Sequence, residues 1–323
     1  MTLREMPKSL ICINLYINIC IFFTSNDGFI DWVLRLTTEN KCLFIESTAM
    51  AKKRNDEKME QTGRVVIVTG DKGGVGKSTF ARGLLHLYLD KKLKYLAYDS
   101  DHRNAQLYRH YNLAESGVKL LDIFTRGGAD DLLIDLDSQR PPLALVDLPA
   151  QSGAFFENFE KDLGVFDAVK DLGYRVTMAS VLSRVKDSVN ILRVLHEYCK
   201  ERVDYVVVKN LFHGDAEKFE RYDNSETRIK LKSAGVVEVL MPDLFFKPYD
   251  YIDEMNLSFS AVAVCKADIT VKYRVSAWLK EFEQNMLVAG SLLGLENQAV
   301  ASQEEAGGRE TGAEEKIPLN VGA

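Results

Sequence analysis

Val65-Val66-Ile67-Val68-Thr69-Gly70-Asp71-Lys72-Gly73-Gly74-Val75-Gly76-Lys77-Ser78-Thr79 decides how this chain is read. It has the order strand, glycine-rich turn, helix start. Val65 to Val68 are all β-branched, which suits a strand covered on both faces. Gly73, Gly74 and Gly76 let the backbone turn sharply and aim its N–H groups at an anion. A helix opening at Lys77 adds its positive dipole end. Lys77 is then placed to reach β- and γ-phosphates, and the hydroxyl of Ser78, followed by Thr79, to bind magnesium. A solvated glycine turn that happens to carry lysines is the bland alternative. The strand before the turn and the Gly-Lys-Ser-Thr after it weigh against that.

Working outward, Phe80, Leu84, Leu85, Leu87 and Tyr88 recur at helical spacing, so Lys77 to about Lys91 reads as a helix with one apolar face. Leu93 to Tyr98 reads as the next strand, ending in Asp99-Ser100-Asp101. Leu143 to Pro149 is an apolar strand ending at Asp147, whose carboxylate suits a magnesium-bound water. Strand ends of this kind form the lip where ligands bind in doubly wound sheets. Leu132-Leu133-Ile134-Asp135-Leu136-Asp137 looks similar. It lies too close to Asp147 for a crossover helix, which takes about a dozen residues. It therefore reads as a short edge strand or hairpin arm with solvated acids.

The loop is not the ordinary Gly-x-x-x-x-Gly-Lys pattern, because Asp71 stands where that pattern has glycine and Lys72 adds a second lysine. Lys72-Gly73-Gly74-Val75-Gly76-Lys77-Ser78-Thr79 resembles the deviant Walker A motif of the ParA/MinD family of P-loop ATPases. The resemblance implies an α/β fold: a doubly wound, mostly parallel sheet with helices on both faces. It implies ATP and Mg2+ as ligands, cradled by Gly73, Gly74, Val75, Gly76, Lys77, Ser78 and Thr79. It implies an ATP-dependent homodimer in which Lys72 reaches the partner's nucleotide. Asp101 takes the family's role of orienting the attacking water or a magnesium-bound water, with Ser78, Asp101 and Asp147 as the metal set. His102-Arg103-Asn104 is similar to the Arg-Asn of MinD-like members. Asn210, closing the strand Val203 to Val208, is carried over as the adenine reader, and Pro242 as a loop residue brushing the base. The output implied is plasmid or DNA partition, plasmid transfer or cargo positioning, with DNA or a DNA-bound adaptor stimulating hydrolysis. A metabolic ATP-dependent ligase or synthetase of similar fold is the alternative. An iron–sulfur carrier needs paired cysteines, and Cys199 and Cys265 stand alone in the sequence.

The chain has 323 residues, room for one large α/β domain or two small ones. Its net charge of −6 provides no global basic field for nucleic acid. The five cysteines show no paired spacing, which argues against a disulfide framework or a zinc site. Residues 1–63 read as an extension outside the folded domain. Ser9 to Phe23 is apolar and follows Arg4 and Lys8, as a leader would. It is short of the ~20 residues of a membrane span and contains Asn14 and Asn18. The preferred reading is translation from Met50, ahead of a cytoplasmic protein, with a membrane-associated leader or an extra packed element as alternatives. Residues 64–295 form the nucleotide-binding domain. Within it, Tyr174 to Met178 and Val236 to Leu240 read as strands, and Ser183 to about Lys200 as a helix. Residues 213–233 read as a charged, solvated insertion or helix surface. Ile269 to about Leu295 reads as one long helix, more core than membrane. Residues 296–323 form an acidic, glycine-rich tail of disordered composition.

Overall fold

The computed structural model describes the backbone of residues 19–26, 29–38 and 41–45, together with residues 63–70, 73–111 and 117–295, apart from the Phe155 side chain. The chain divides into two units, Met1–Glu60 and Gln61–Ala323. In the first, β1 (Ile19–Asn26), β2 (Phe29–Thr38) and β3 (Lys41–Ile45) form an antiparallel sheet in that order. Asn26 pairs with Phe29 where β1 turns into β2. Residues 9–18 of the apolar N-terminal run, Met50 and the tail 296–323 lie outside the described residues.

The second unit is built on a seven-stranded sheet. Its strands are β4 (Gly63–Thr69), β5 (Leu96–Asp99), β6 (Val118–Leu120), β7 (Leu143–Asp147), β8 (Tyr174–Leu182), β9 (Asp204–Asn210) and β10 (Val237–Met241). The spatial order is β10-β9-β8-β4-β7-β5-β6, and every pairing is parallel. The helices are α1 (Lys77–Asp90), α2 (Gln106–Tyr111), α3 (Asp130–Gln139), α4 (Gly153–Leu163), α5 (Val165–Asp171), α6 (Lys186–Cys199), α7 (Glu220–Asp223), α8 (Glu226–Ser233), α9 (Phe246–Glu254), α10 (Phe259–Val264) and α11 (Ile269–Met286).

Alternation along the strands feeds two cores. Val66 and Val68 of β4 pack with Phe80 and Leu84 of α1 and with Trp278 and Phe282 of α11. Val65 and Ile67 face the other way, with Leu132 and Leu136 of α3, Phe166 of α5 and Leu192 of α6. Successive side chains of a strand point to opposite faces, so a run without polar residues is needed where both faces are covered. The expected α/β architecture is therefore the observed one.

Three details differ from the sequence reading. Leu132 to Asp137 is not a strand: it lies inside α3, where Leu132 and Leu136 are buried one turn apart and Asp130 and Asp131 occupy the first turn. Acids there favour the helix dipole. Asp135 is not simply solvated either, since it accepts from the Tyr98 hydroxyl and from Lys119 at 2.6 Å. The last helix stops at Met286, and a 3-10 stretch, Leu287–Leu293, follows. Gly294 then turns left-handed, where a Cβ would lie 2.3 Å from Leu143 Cδ1. In the charged region 213–233, Phe219, Tyr222 and Leu231 are buried, while Arg228 pairs with Glu238 of β10 at 2.7 Å. Among the described residues no helix is long and apolar enough to cross a membrane.

Candidate nucleotide site

β4 ends at the centre of the sheet and the chain turns through glycines into α1. Gly74 and Gly76 have φ of 80° and 99°, left-handed conformations that glycine adopts without strain. Gly76 is also held by space, because a Cβ there would lie 2.4 Å from Asn210 Nδ2 and 3.0 Å from Met241 Cε. Gly76 is the N-cap of α1, with no side-chain cap and no acid in the first turn. Its carbonyl takes the first helical bond, from Phe80 N–H at 2.9 Å. The N–H groups of a helix's first turn have no partner within the helix itself, the arrangement that binds anions. Lys77 is buried beside them. Asp71 and Lys72 lie outside the described residues, so the early lysine is not placed.

The strand order sets two carboxylates beside this turn. Asp99 ends β5 and Asp147 ends β7, and the two are register partners; Val68 of β4 pairs with Asp147 on its other side. Both acids are fully buried. Asp99 is well supplied: Oδ1 accepts from Asp101 N–H at 2.9 Å and Oδ2 from Tyr108 N–H at 3.0 Å. Burial still pushes its carboxyl up to about 6. Both oxygens of Asp147 are buried without a hydrogen-bond partner. Burial foremost, then the Asp99 charge, pushes Asp147 up to about 8, against the pull of Ser78 and Lys77. Asp101 is half-buried; its Oδ1 accepts from Arg103 N–H at 3.1 Å and Asn104 N–H at 3.0 Å. It thus caps the turn after β5 while facing the cleft.

The cleft has a volume of about 560 Å³ and is lined by Gly73, Gly74, Gly76, Lys77, Ser78, Thr79 and Asp101, with Asn104, Gln106 and Ala150. The far wall carries Asn210, Phe212, Met241, Pro242, Asp243, Leu244, Phe246, Tyr249 and Asp250. The structure thus brings Asp101, the glycine turn, Asn210 and Pro242 to one cavity, with Asp147 buried at the adjoining strand end. Pro242 lines that wall, and its carbonyl accepts from Trp278 Nε1 at 2.8 Å.

Asn210 also has a local structural role. Its Nδ2 donates to Val75 O at 2.8 Å and its Oδ1 accepts from Phe212 N–H at 3.1 Å. An amide offers one acceptor oxygen and two donor hydrogens. With the oxygen and one N–H engaged, Asn210 braces the glycine turn and keeps one N–H of Nδ2 uncommitted at the cleft wall. Sequence reasoning also missed Asp99 as a site residue, although its place at a strand end beside Asp101 was visible. The far wall was missed because its residues follow β9 and β10, distant in sequence from the loop they face.

Among the described residues, no group of three or more His, Cys, Asp or Glu could hold a metal alone. Magnesium needs no such group, since it keeps several waters and takes one or two carboxylates plus phosphate oxygens. The buried, unpartnered Asp147 carboxylate at the foot of an uncapped helix is the feature that fits such an ion.

Residues 66–240 match the family described as CobQ/CobB/MinD/ParA nucleotide binding domain. Protein MobD of Acidithiobacillus ferrooxidans is 24% identical over 219 residues, 67% of this chain and 93% of that protein. Among solved structures, the MinD cell division protein of Aquifex aeolicus is 16% identical with a TM-score of 0.42, covering 68% of this chain and 97% of that one. An ATP complex of a Cyanothece McdA variant is 14% identical with a TM-score of 0.42, covering 74% and 98%. The family match spans more than half of the chain and runs from the glycine turn through the Asp99–Asp101 and Asp147 strand ends to β10. The chain belongs to the CobQ/CobB/MinD/ParA nucleotide-binding domain family.

Proposed function

We propose that this chain is an ATP-binding and ATP-hydrolysing dimerisation switch of ParA/MinD type. The observation that carries the reading is the pairing of an uncapped α1 N-terminus with a buried, partnerless Asp147 carboxylate. A triphosphate satisfies the first, and a divalent cation the second. The first-turn N–H groups and Lys77 hold phosphate oxygens. The Ser78 hydroxyl and Asp147 hold the magnesium shell, with Asp101 at its edge. Bound magnesium supplies neutralisation of the charge that builds on the phosphoryl oxygens. Asp101, fixed through one oxygen by the turn it caps, offers the other to orient a water. Lys72 reaches across to the nucleotide of a sister subunit, and hydrolysis, slow until a partner stimulates it, releases the dimer. The cytoplasmic output is plasmid or DNA partition, plasmid transfer or cargo positioning, with DNA or a DNA-bound adaptor as the stimulating partner.

Light scattering with and without ATP tests this. Lys77→Ala is expected to lose nucleotide binding and stay monomeric. Asp101→Ala is expected to bind ATP, fail to hydrolyse it and accumulate as a dimer. An Asp101→Ala protein that remains monomeric at saturating ATP would sink the sandwich reading.

A further inference from the structure

The glycine turn borders a second cavity that the nucleotide reading does not use. Its volume is about 500 Å³, and Gly73 and Gly74 line it as they line the cleft. The other walls are different. Ser183, Arg184 and Val185 come from the turn between β8 and α6, and His213, Lys218, Glu220 and Arg221 from the segment after β9. Three of these side chains are permanent cations and one is an acid. Arg184, Lys218 and Arg221 are all exposed, and none makes a hydrogen bond or ion pair among the described residues. Cations close by in sequence do pair: Lys209 with Asp223 and Arg228 with Glu238, each at 2.7 Å. Gly214 lets two of the free ones run side by side. A Cβ there would lie 3.2 Å from Arg184 Cδ and 3.5 Å from Lys218 Cβ.

A lone solvated lysine is ordinary. Several like charges gathered in a concavity repel one another, and its low-dielectric walls focus their field on an incoming anion. The arginine fork matches the two oxygens of a carboxylate. A nucleic acid suits the place less well. A duplex carries a charge about every 1.7 Å along its axis and is too wide to enter such a cavity. Asp187, Asp215 and Glu217 stand exposed on the flanking segments and oppose a continuous run of phosphates. We propose that this cavity docks an acidic segment of a partner protein, with its carboxylates on Arg184, Lys218 and Arg221. The site is additional to the nucleotide cleft and needs no bound nucleotide. Because the two cavities share Gly73 and Gly74, a docked segment abuts the turn itself.

Fluorescence anisotropy of the full chain with a labelled hexaglutamate peptide tests the proposal. A labelled DNA duplex forms a parallel arm, and both are run with and without ATP and magnesium. The peptide is expected to bind in either condition and to weaken as salt rises from about 0.05 to about 0.3 M. Arg184→Glu and Arg221→Glu are each expected to weaken it at least about tenfold, the scale of a hydrogen bond between charged groups. Lys170→Glu, an exposed charge on α5 that does not line the cavity, is expected to leave the peptide bound. Melting curves confirm that these surface variants fold. Absence of peptide binding, an equal loss in Lys170→Glu, or displacement of the peptide by ATP would overturn the proposal. Tighter binding of the duplex through the same cations would overturn it in favour of nucleic acid. Loss of ATP-dependent dimerisation in Arg184→Glu or Arg221→Glu, read by light scattering, would overturn it in favour of a sister subunit.

Discussion

Asp147→Asn removes a buried charge while keeping the side chain's shape, and its effect depends on pH. The Asp147 carboxyl is pushed from an ordinary 3.8 up to about 8 by burial, then by Asp99. The native state therefore holds a proton that the unfolded chain has already released between pH ~4 and ~8. Where the native state binds more protons, stability falls as pH rises. The stabilisation is complete below the unfolded value and is lost as pH climbs through the folded value. At about 1.4 kcal/mol per unit, the loss amounts to several kcal/mol across that window. That is a large share of the ~5–15 kcal/mol that holds a domain together. Asp99 titrates with its neighbour, so the loss belongs to the pair. Asparagine cannot ionise, and it relieves the like charge on Asp99 as well. Urea unfolding at several pH values, in the presence of a chelator, should show near-equal stabilities for wild type and Asp147→Asn at pH 4. The variant should be several kcal/mol more stable at pH 8. Adding magnesium and ATP should rescue wild type and not the variant, because a bound cation favours the charged carboxylate. Parallel stability–pH curves for the two proteins would refute the reasoning.

Other expectations follow from single contacts. Gly76→Ala places a Cβ 2.4 Å from Asn210 Nδ2 at a left-handed φ of 99°; the strain should cost about 1–3 kcal/mol in urea unfolding, with phosphate binding lost. Asn210→Ala leaves Val75 O and Phe212 N–H without their partner; a loss of about 1–3 kcal/mol and faster amide exchange around Phe212 should follow. Phe282→Ala opens the core where the ring packs on Phe80, Trp278 and the bare face of Gly83; calorimetry should record a loss of about 3–5 kcal/mol.

The sequence by itself determined the centre of this protein. The β-branched run, the glycines and Lys77-Ser78-Thr79 are local signals, each acting through its own backbone preference, so the strand, turn and helix could be read from one stretch. Asp101 and Asp147 were legible because strand ends carry a recognisable pattern. Leu132 to Asp137 shows where that pattern misleads: the same residues satisfy strand and helix spacing, and packing of Leu132 and Leu136 against the sheet selects the helix. Only the tertiary structure decided what depends on distant partners. Asp99 becomes important because parallel pairing sets it level with Asp147. Asn210 becomes a brace because β9 ends within reach of Val75. Phe212, Asp243 and Phe246 meet at one cleft because β9 and β10 end on the same side of the sheet as β4. Spacing along a chain encodes local geometry, but which strand ends become neighbours is set by the sheet order, and that order emerges only when the two cores pack.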